Sequence, residues 1–232
     1  MLELRTNQNS KIEIQRLIKG LFITFEGTEG CGKSTQVELL AQRLRTPGHH
    51  VRVLREPGGT PIGEEIRHTL KHSRDNVAMT PEAELLLMNA SRAQLVREII
   101  RPALAAGEIV LCDRFYDSTI AYQGYGRGLD LTMVRAIIDF SVGDTRPDLT
   151  VLLEVTPAAA AARLRARQAS APPVRDRFEE ADGSFFERVV EGYRAIAAAE
   201  PRRVQMIDAG ADPNSVSEAI WNLVQPRLPT VR

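Results

Sequence analysis

The sequence predicts an α/β fold: a doubly wound, five-stranded parallel sheet with helices on both faces and a small lid. Three observations carry that expectation. From Leu21 onward, short apolar runs rich in Val, Ile and Leu alternate with longer amphipathic segments, as expected for strands buried on both faces and joined by crossover helices. The alternation occurs five times with no internal repeat. Prolines stand just before or within the amphipathic segments, where a first helical turn tolerates them.

The elements follow in order. Residues 1–19 mix acidic and basic side chains with scattered apolar ones and read as an N-terminal extension, since targeting peptides avoid acidic residues. Residues 20–232 then form one domain. Strands are expected over Leu21–Glu26, Val51–Arg55, Ile109–Cys112, Thr150–Val155 and Val204–Ile207. Helices are expected to begin near Lys33, Ile62, Pro81, Leu131, Pro157, Phe185 and Pro213. The Ala/Arg-rich run from Ala158, closing in Ala171-Pro172-Pro173, reads as a short helix giving way to a loop, and a lid is expected at about 163–180.

Composition narrows the function. The 232 residues include 30 basic and 30 acidic side chains and are 43% hydrophobic, which excludes collagen-like and disordered classes. Zero net charge gives no global basic field, so a nucleic acid polymer is not the expected partner. Cys31 and Cys112 lack the spacing of a metal site or disulfide framework, which points to a cytoplasmic location. No apolar run approaches the length of a membrane span.

The sharpest motif is Gly27-Thr28-Glu29-Gly30-Cys31-Gly32-Lys33-Ser34, which matches the P-loop pattern between a strand and a helix. Its glycines let successive N–H groups converge on phosphate oxygens at the positive end of the following helix. Lys33 would span the β- and γ-phosphates, and the Ser34 hydroxyl would ligate Mg²⁺. The plainer alternative is a glycine-rich turn capping a helix. A second motif closes the third strand with Asp113-Arg114, at the sheet edge where open α/β folds bind ligands. Asp113 suits Mg²⁺ held through water, and Arg114 a bidentate phosphate clamp, with a surface ion pair as the alternative. Cys31, close to a helix N-terminus, is a candidate reactive thiol whose alkylation would block ATP binding.

Together with Arg55-Glu56-Pro57-Gly58-Gly59-Thr60-Pro61 and Ala121-Tyr122-Gln123-Gly124, these motifs make residues 20–226 resemble the bacterial thymidylate kinases. The resemblance implies a P-loop NTPase fold and transfer of the γ-phosphoryl of ATP to dTMP, with Mg²⁺ as cofactor and a homodimer as the usual state. It implies ATP binding by Gly27 through Thr35, with Lys33, Glu29 and Asp113 in the catalytic machinery. It assigns the acceptor phosphate to Arg114 and the thymine base to Arg92, for which a solvated helix position is the alternative. Glu56 and Pro57 would border the acceptor, although Pro-Gly-Gly is also a turn signal. Thr119, Tyr122 and Gln123 would border the nucleoside, Tyr122 crowding out a ribose hydroxyl, with core packing as its other reading. Met88 stands where the family usually has a thymine-stacking phenylalanine, and is either a softer wall or plain core.

The lid carries Arg163, Arg165 and Arg167, then Arg175-Asp176-Arg177-Phe178-Glu179. Because the P-loop has no arginine, the resemblance places transition-state charge on Arg165 or Arg167 together with Arg177; solvated helix faces are the alternative. Glu29 would position a substrate hydroxyl or a lid arginine. Another nucleoside monophosphate kinase, a deoxynucleoside kinase and a noncatalytic switch are the rival functions.

Overall fold

A computed structural model describes residues 20–170, 176–178 and 182–229, without the side chains of 167, 168 and 170. The N-terminal extension, Arg175, Glu179 and much of the expected lid loop therefore lie outside the described residues.

Five parallel strands form one sheet among the described residues, in the order β2-β3-β1-β4-β5. They are β1 (Leu21–Glu26), β2 (Val51–Arg55), β3 (Ile109–Asp113), β4 (Leu149–Glu154) and β5 (Val204–Asp208). Strand side chains alternate in direction. Phe22 therefore joins Val110, Cys112 and Leu152 in the core on one face, while Ile23 and Phe25 join Leu111, Val151 and Leu153 on the other. β1 sits centrally, and its register with β3 sets Phe25 beside Asp113, so the residues after both strands emerge at one edge.

The helices are α1 (Lys33–Arg45), α2 (Pro61–Arg67), α3 (Pro81–Leu95), α4 (Arg101–Ala105), α5 (Tyr116–Thr119), α6 (Leu131–Val142), α7 (Pro157–Ser170), α8 (Gly183–Ala199) and α9 (Pro213–Val224). α1 and α9 pack together over the face holding Phe25. α3, α6 and α8 cover the other. Side-chain caps start most of these helices, with Thr60 accepting from Gly63 N–H at 3.0 Å and Thr80 from Ala83 N–H at 3.3 Å. Asp182 likewise accepts from Phe185 N–H at 2.8 Å, which starts α8 at Gly183, two residues before the sequence expectation.

The largest departure is the helical stretch from Tyr116 through Gly126, where α5 continues as wider π-type turns. Gly124, Gly126 and four aromatics between 115 and 125 conceal it in sequence, because none of them favours a helix interior. Packing against α8 supplies what propensity does not: a Cβ on Gly126 would lie 2.6 Å from the Phe185 ring, so only glycine permits the approach.

Candidate active site

The loop from Gly27 to Gly32 turns back over the sheet edge using left-handed backbone at Gly27 (φ 133°), Gly30 (75°) and Gly32 (98°). The space is also closed to side chains. A Cβ on Gly27 would meet the Leu153 carbonyl at 2.3 Å, and one on Gly30 the Ala160 carbonyl of α7 at 2.7 Å. α1 starts at Gly32 with no side-chain cap, leaving its first N–H groups to an anion. Lys33 Nζ donates to the carbonyls of Gly27 (3.1 Å) and Thr28 (2.8 Å) and approaches Cys31 Sγ at 3.5 Å.

Ser34 Oγ donates to Asp113 Oδ2 at 2.6 Å, across 79 residues of sequence. The β1–β3 register produces that meeting, and the pair offers the hard oxygen donors that Mg²⁺ prefers. Cys31 corrects an expectation: it is 1% exposed, packed in the core beneath the loop, so its thiol is shielded from alkylating reagents.

Beside the P-loop lies an open cavity, its enclosed part only about 40 Å³. Glu56, Pro57, Met88, Arg92, Arg114, Thr119, Tyr122 and Gln123 all line it, so the structure gathers the expected acceptor residues from four stretches of sequence. Glu29 reaches it from the P-loop.

Arg114 has a left-handed backbone (φ 70°), costly for a residue with a side chain, and its N–H is held by the Phe25 carbonyl at 2.9 Å. Its guanidinium donates to Glu29 Oε1 (2.8 Å), Ser118 Oγ (3.0 Å) and Tyr193 OH (3.1 Å). Burial acts to raise the Glu29 pKa, but the facing cations Arg114, Lys33 and Lys71 hold that carboxyl well below the usual range. Beneath them, Glu26 accepts from Phe115 N–H (2.8 Å), Ser118 Oγ (2.6 Å) and Tyr193 OH (3.1 Å). Burial, then the neighbouring Asp117, push its pKa up to about 7.

At the other end, Arg92 is almost fully buried. Its Nε donates to Glu56 Oε2 (2.8 Å), its Nη1 to Asn89 (3.0 Å) and Thr119 (3.0 Å), and its Nη2 to the Phe115 carbonyl (3.2 Å). This corrects the solvated-helix alternative. Each guanidinium nitrogen has a protein partner, so a base contact by Arg92 requires one of these bonds to be exchanged. Glu56 Oε1 is buried without a partner among the described residues, and burial raises the Glu56 pKa against the pull of Arg92.

The lid arginines separate. Arg163, which sequence reasoning left without a role, reaches the P-loop, donating to the carbonyls of Cys31 (3.4 Å) and Ala209 (2.8 Å). Arg165 is exposed, and the Arg167 side chain lies outside the described residues. Arg177 ion-pairs with Glu84 and donates to the Leu70 carbonyl at 3.3 Å, so the expected transition-state role requires these bonds to be exchanged. Glu26, Glu84, Lys71, Ser118, Phe178 and Tyr193 were not anticipated. The one available signal was a carboxylate inside an apolar stretch, at Glu26 and before Leu85-Leu86-Leu87 at Glu84.

The sequence matches the family described as thymidylate kinase over residues 25–220. It is 47% identical over 208 residues to the thymidylate kinase of Synechococcus sp. (strain JA-3-3Ab), spanning 90% of this chain and 97% of that one. Against the Geobacter sulfurreducens thymidylate kinase, identity is 48% over 214 residues, with 90% and 99% covered. The fold is similar to the crystal structure of thymidylate kinase from Ehrlichia chaffeensis, with a TM-score of 0.71, 34% identity and 89% and 99% coverage.

Proposed function

The chain belongs to the thymidylate kinase family, and on that premise we propose that it transfers the γ-phosphoryl of ATP to dTMP, giving dTDP and ADP, as a step toward dTTP. The observation that carries the reading is the Arg114–Glu29 pair, which joins the P-loop to the acceptor cavity at 2.8 Å. Arg114 exchanges Glu29 for the dTMP phosphate and so sets the acceptor beside the donor.

An ionised oxygen of that phosphate attacks the γ-phosphorus, the bond to the β–γ bridging oxygen breaks, and its electron pair leaves on ADP. The nucleophile is already deprotonated, so the protein's work is positioning and charge stabilisation. The P-loop N–H groups and the α1 N-terminus hold the donor phosphates, and Lys33 leaves the Gly27 and Thr28 carbonyls to reach them. Ser34 and Asp113 would hold Mg²⁺, which supplies neutralising charge to the donor phosphates. Arg165 or Arg167 on α7 is the proposed cation for charge developing in transfer. Arg92, Thr119, Gln123 and Met88 border the base, and Tyr122 crowds the 2′ carbon.

The domain is proposed to span residues 20–232 and to act as a cytoplasmic homodimer. Two free cysteines, both buried, support a reducing compartment. Phe140 (83% exposed) and Met133 (59%) on α6, with Leu86 (57%) on the adjacent α3, support a self-association face. Sedimentation of wild-type protein and Phe140→Asp tests it, with dissociation expected for the variant. The test of function is ADP release from Mg-ATP with dTMP, dUMP, UMP, dGMP and thymidine as separate acceptors. Turnover of dTMP well above the others is expected; absence of turnover with every monophosphate would refute the assignment.

A further inference from the structure

We propose that Phe178 is a substrate-contacting wall of the acceptor cavity, and that Glu84 is the positioning residue that holds it there through Arg177. The proposal rests on reading the cavity as the dTMP site.

Phe178 is 4% exposed, lines the cavity, and meets the Tyr122 ring edge-on, with centroids 6.2 Å apart at 75°. Residues 176–178 come from the lid region, far in sequence from the rest of the wall, and specific bonds hold them in place. Lys71 Nζ lies 2.6 Å from Asp176 Oδ2. Arg177 N–H donates to the Lys71 carbonyl at 3.2 Å, and Arg177 Nε to the Leu70 carbonyl at 3.3 Å. Its remaining charge is set on Glu84.

Glu84 makes this attachment specific to the site. It is a fully buried carboxylate, which is tolerable only because donors surround it. Arg127 supplies two bonds, at 3.3 Å and 3.1 Å, and Gln123 Nε2 donates at 2.7 Å. An ionised carboxylate only accepts, so Gln123 must present its amide nitrogen to Glu84, which fixes the orientation of a cavity-lining side chain. One carboxylate therefore holds both the Phe178 segment and the amide beside the nucleoside. Met88, the unbranched side chain on the same cavity, offers no fixed plane, so the aromatic surface contributed by the 176–178 segment is Phe178.

This arrangement separates two roles for Arg177. A cation acting on the transferring phosphoryl lowers kcat when removed. A residue that anchors the acceptor wall raises KM for dTMP and leaves kcat at saturation unchanged.

The experiment is steady-state kinetics on the full chain, varying dTMP and ATP separately, with dTMP-induced thermal shifts as a readout independent of turnover. Phe178→Ala is expected to raise KM for dTMP about tenfold, the upper range for one aromatic contact, with KM for ATP and kcat within about twofold. Arg177→Met should raise KM for dTMP by about threefold to tenfold, and the double variant should be no worse than Phe178→Ala alone, because both act on one wall. Phe178→Leu, which keeps apolar volume and folding, should recover part of the loss.

A fall in kcat of about 100-fold for Arg177→Met with KM for dTMP unchanged would overturn the proposal in favour of a phosphoryl cation. So would an unchanged KM for dTMP in Phe178→Ala, or additive losses in the double variant. Wild-type protein that neither turns over dTMP nor is stabilised by it would refute the cavity assignment itself, before any variant is made.

Discussion

Two arginine–carboxylate pairs border the same cavity, and their surroundings differ. Glu29 faces Arg114, Lys33 and Lys71, and its carboxyl is held far below its ordinary pKa. Glu56 faces Arg92 alone at full burial, and its pKa is raised. Both pairs are short, at 2.8 Å and 2.7 Å, so distance does not distinguish them. What differs is the number of cations opposing desolvation. At the P-loop end Glu29 meets three cations, groups that an arriving phosphate can also engage. At the far end charge is balanced one to one inside the core, which suits a neutral base.

The largest test of this contrast is Arg114→Met. Removing the arginine that faces both Glu29 and the proposed acceptor site should lower kcat/KM for dTMP by roughly 10²- to 10³-fold. Loss of stability without loss of kcat/KM would erase the functional difference between the two pairs. Next is Glu56→Ala, which strands the Arg92 charge in the core and should cost about 3–5 kcal/mol of unfolding free energy by urea denaturation. Glu29→Ala should cost less than half as much, because the Arg114–Glu29 side chains are 13% and 18% exposed against 2% and 4% for Arg92–Glu56.

A pH titration of stability gives a smaller effect. Glu26 has an ordinary pKa of 4.5 and a folded pKa of about 7, so the folded state binds the extra proton within that window. Stability should therefore be greatest below about 4.5 and decline as pH rises toward 7, relative to Glu26→Gln, in which the slope disappears. The smallest effect sets the baseline: Arg52→Ala breaks the exposed Arg52–Glu108 pair and should change stability by about 0.5 kcal/mol or less.

The P-loop was legible because its residues are contiguous and its glycines have one physical explanation. The strands were legible because each is short and rich in Val, Ile, Leu or Phe, even where β2 carries Arg52 and β5 Gln205, and their observed ends moved by only a residue. The acceptor cavity was legible only in the side chains carried by family-like motifs. Its supporting groups are contributed from far along the chain: Tyr193 reaches Glu26 across 167 residues, and Arg177 reaches Glu84 across 93. No spacing rule relates such pairs. The partner of Arg177 was hidden for the same reason. The arginine's charge was visible in sequence, but the buried carboxylate that captures it became apparent only when α3 and the 176–178 segment were seen side by side.

The Arg114–Glu29 bond also bears on competition inside a cell. Inorganic phosphate and other small anions offer charge alone, and to bind Arg114 they must evict a carboxylate already paired with it at 2.8 Å. A nucleotide bound as proposed would face the same eviction but would also fill the cavity beyond, where contacts with Tyr122, Met88 and Phe178 would offset the exchange. The pre-formed pair thus works as a toll that only a ligand with both ends can meet.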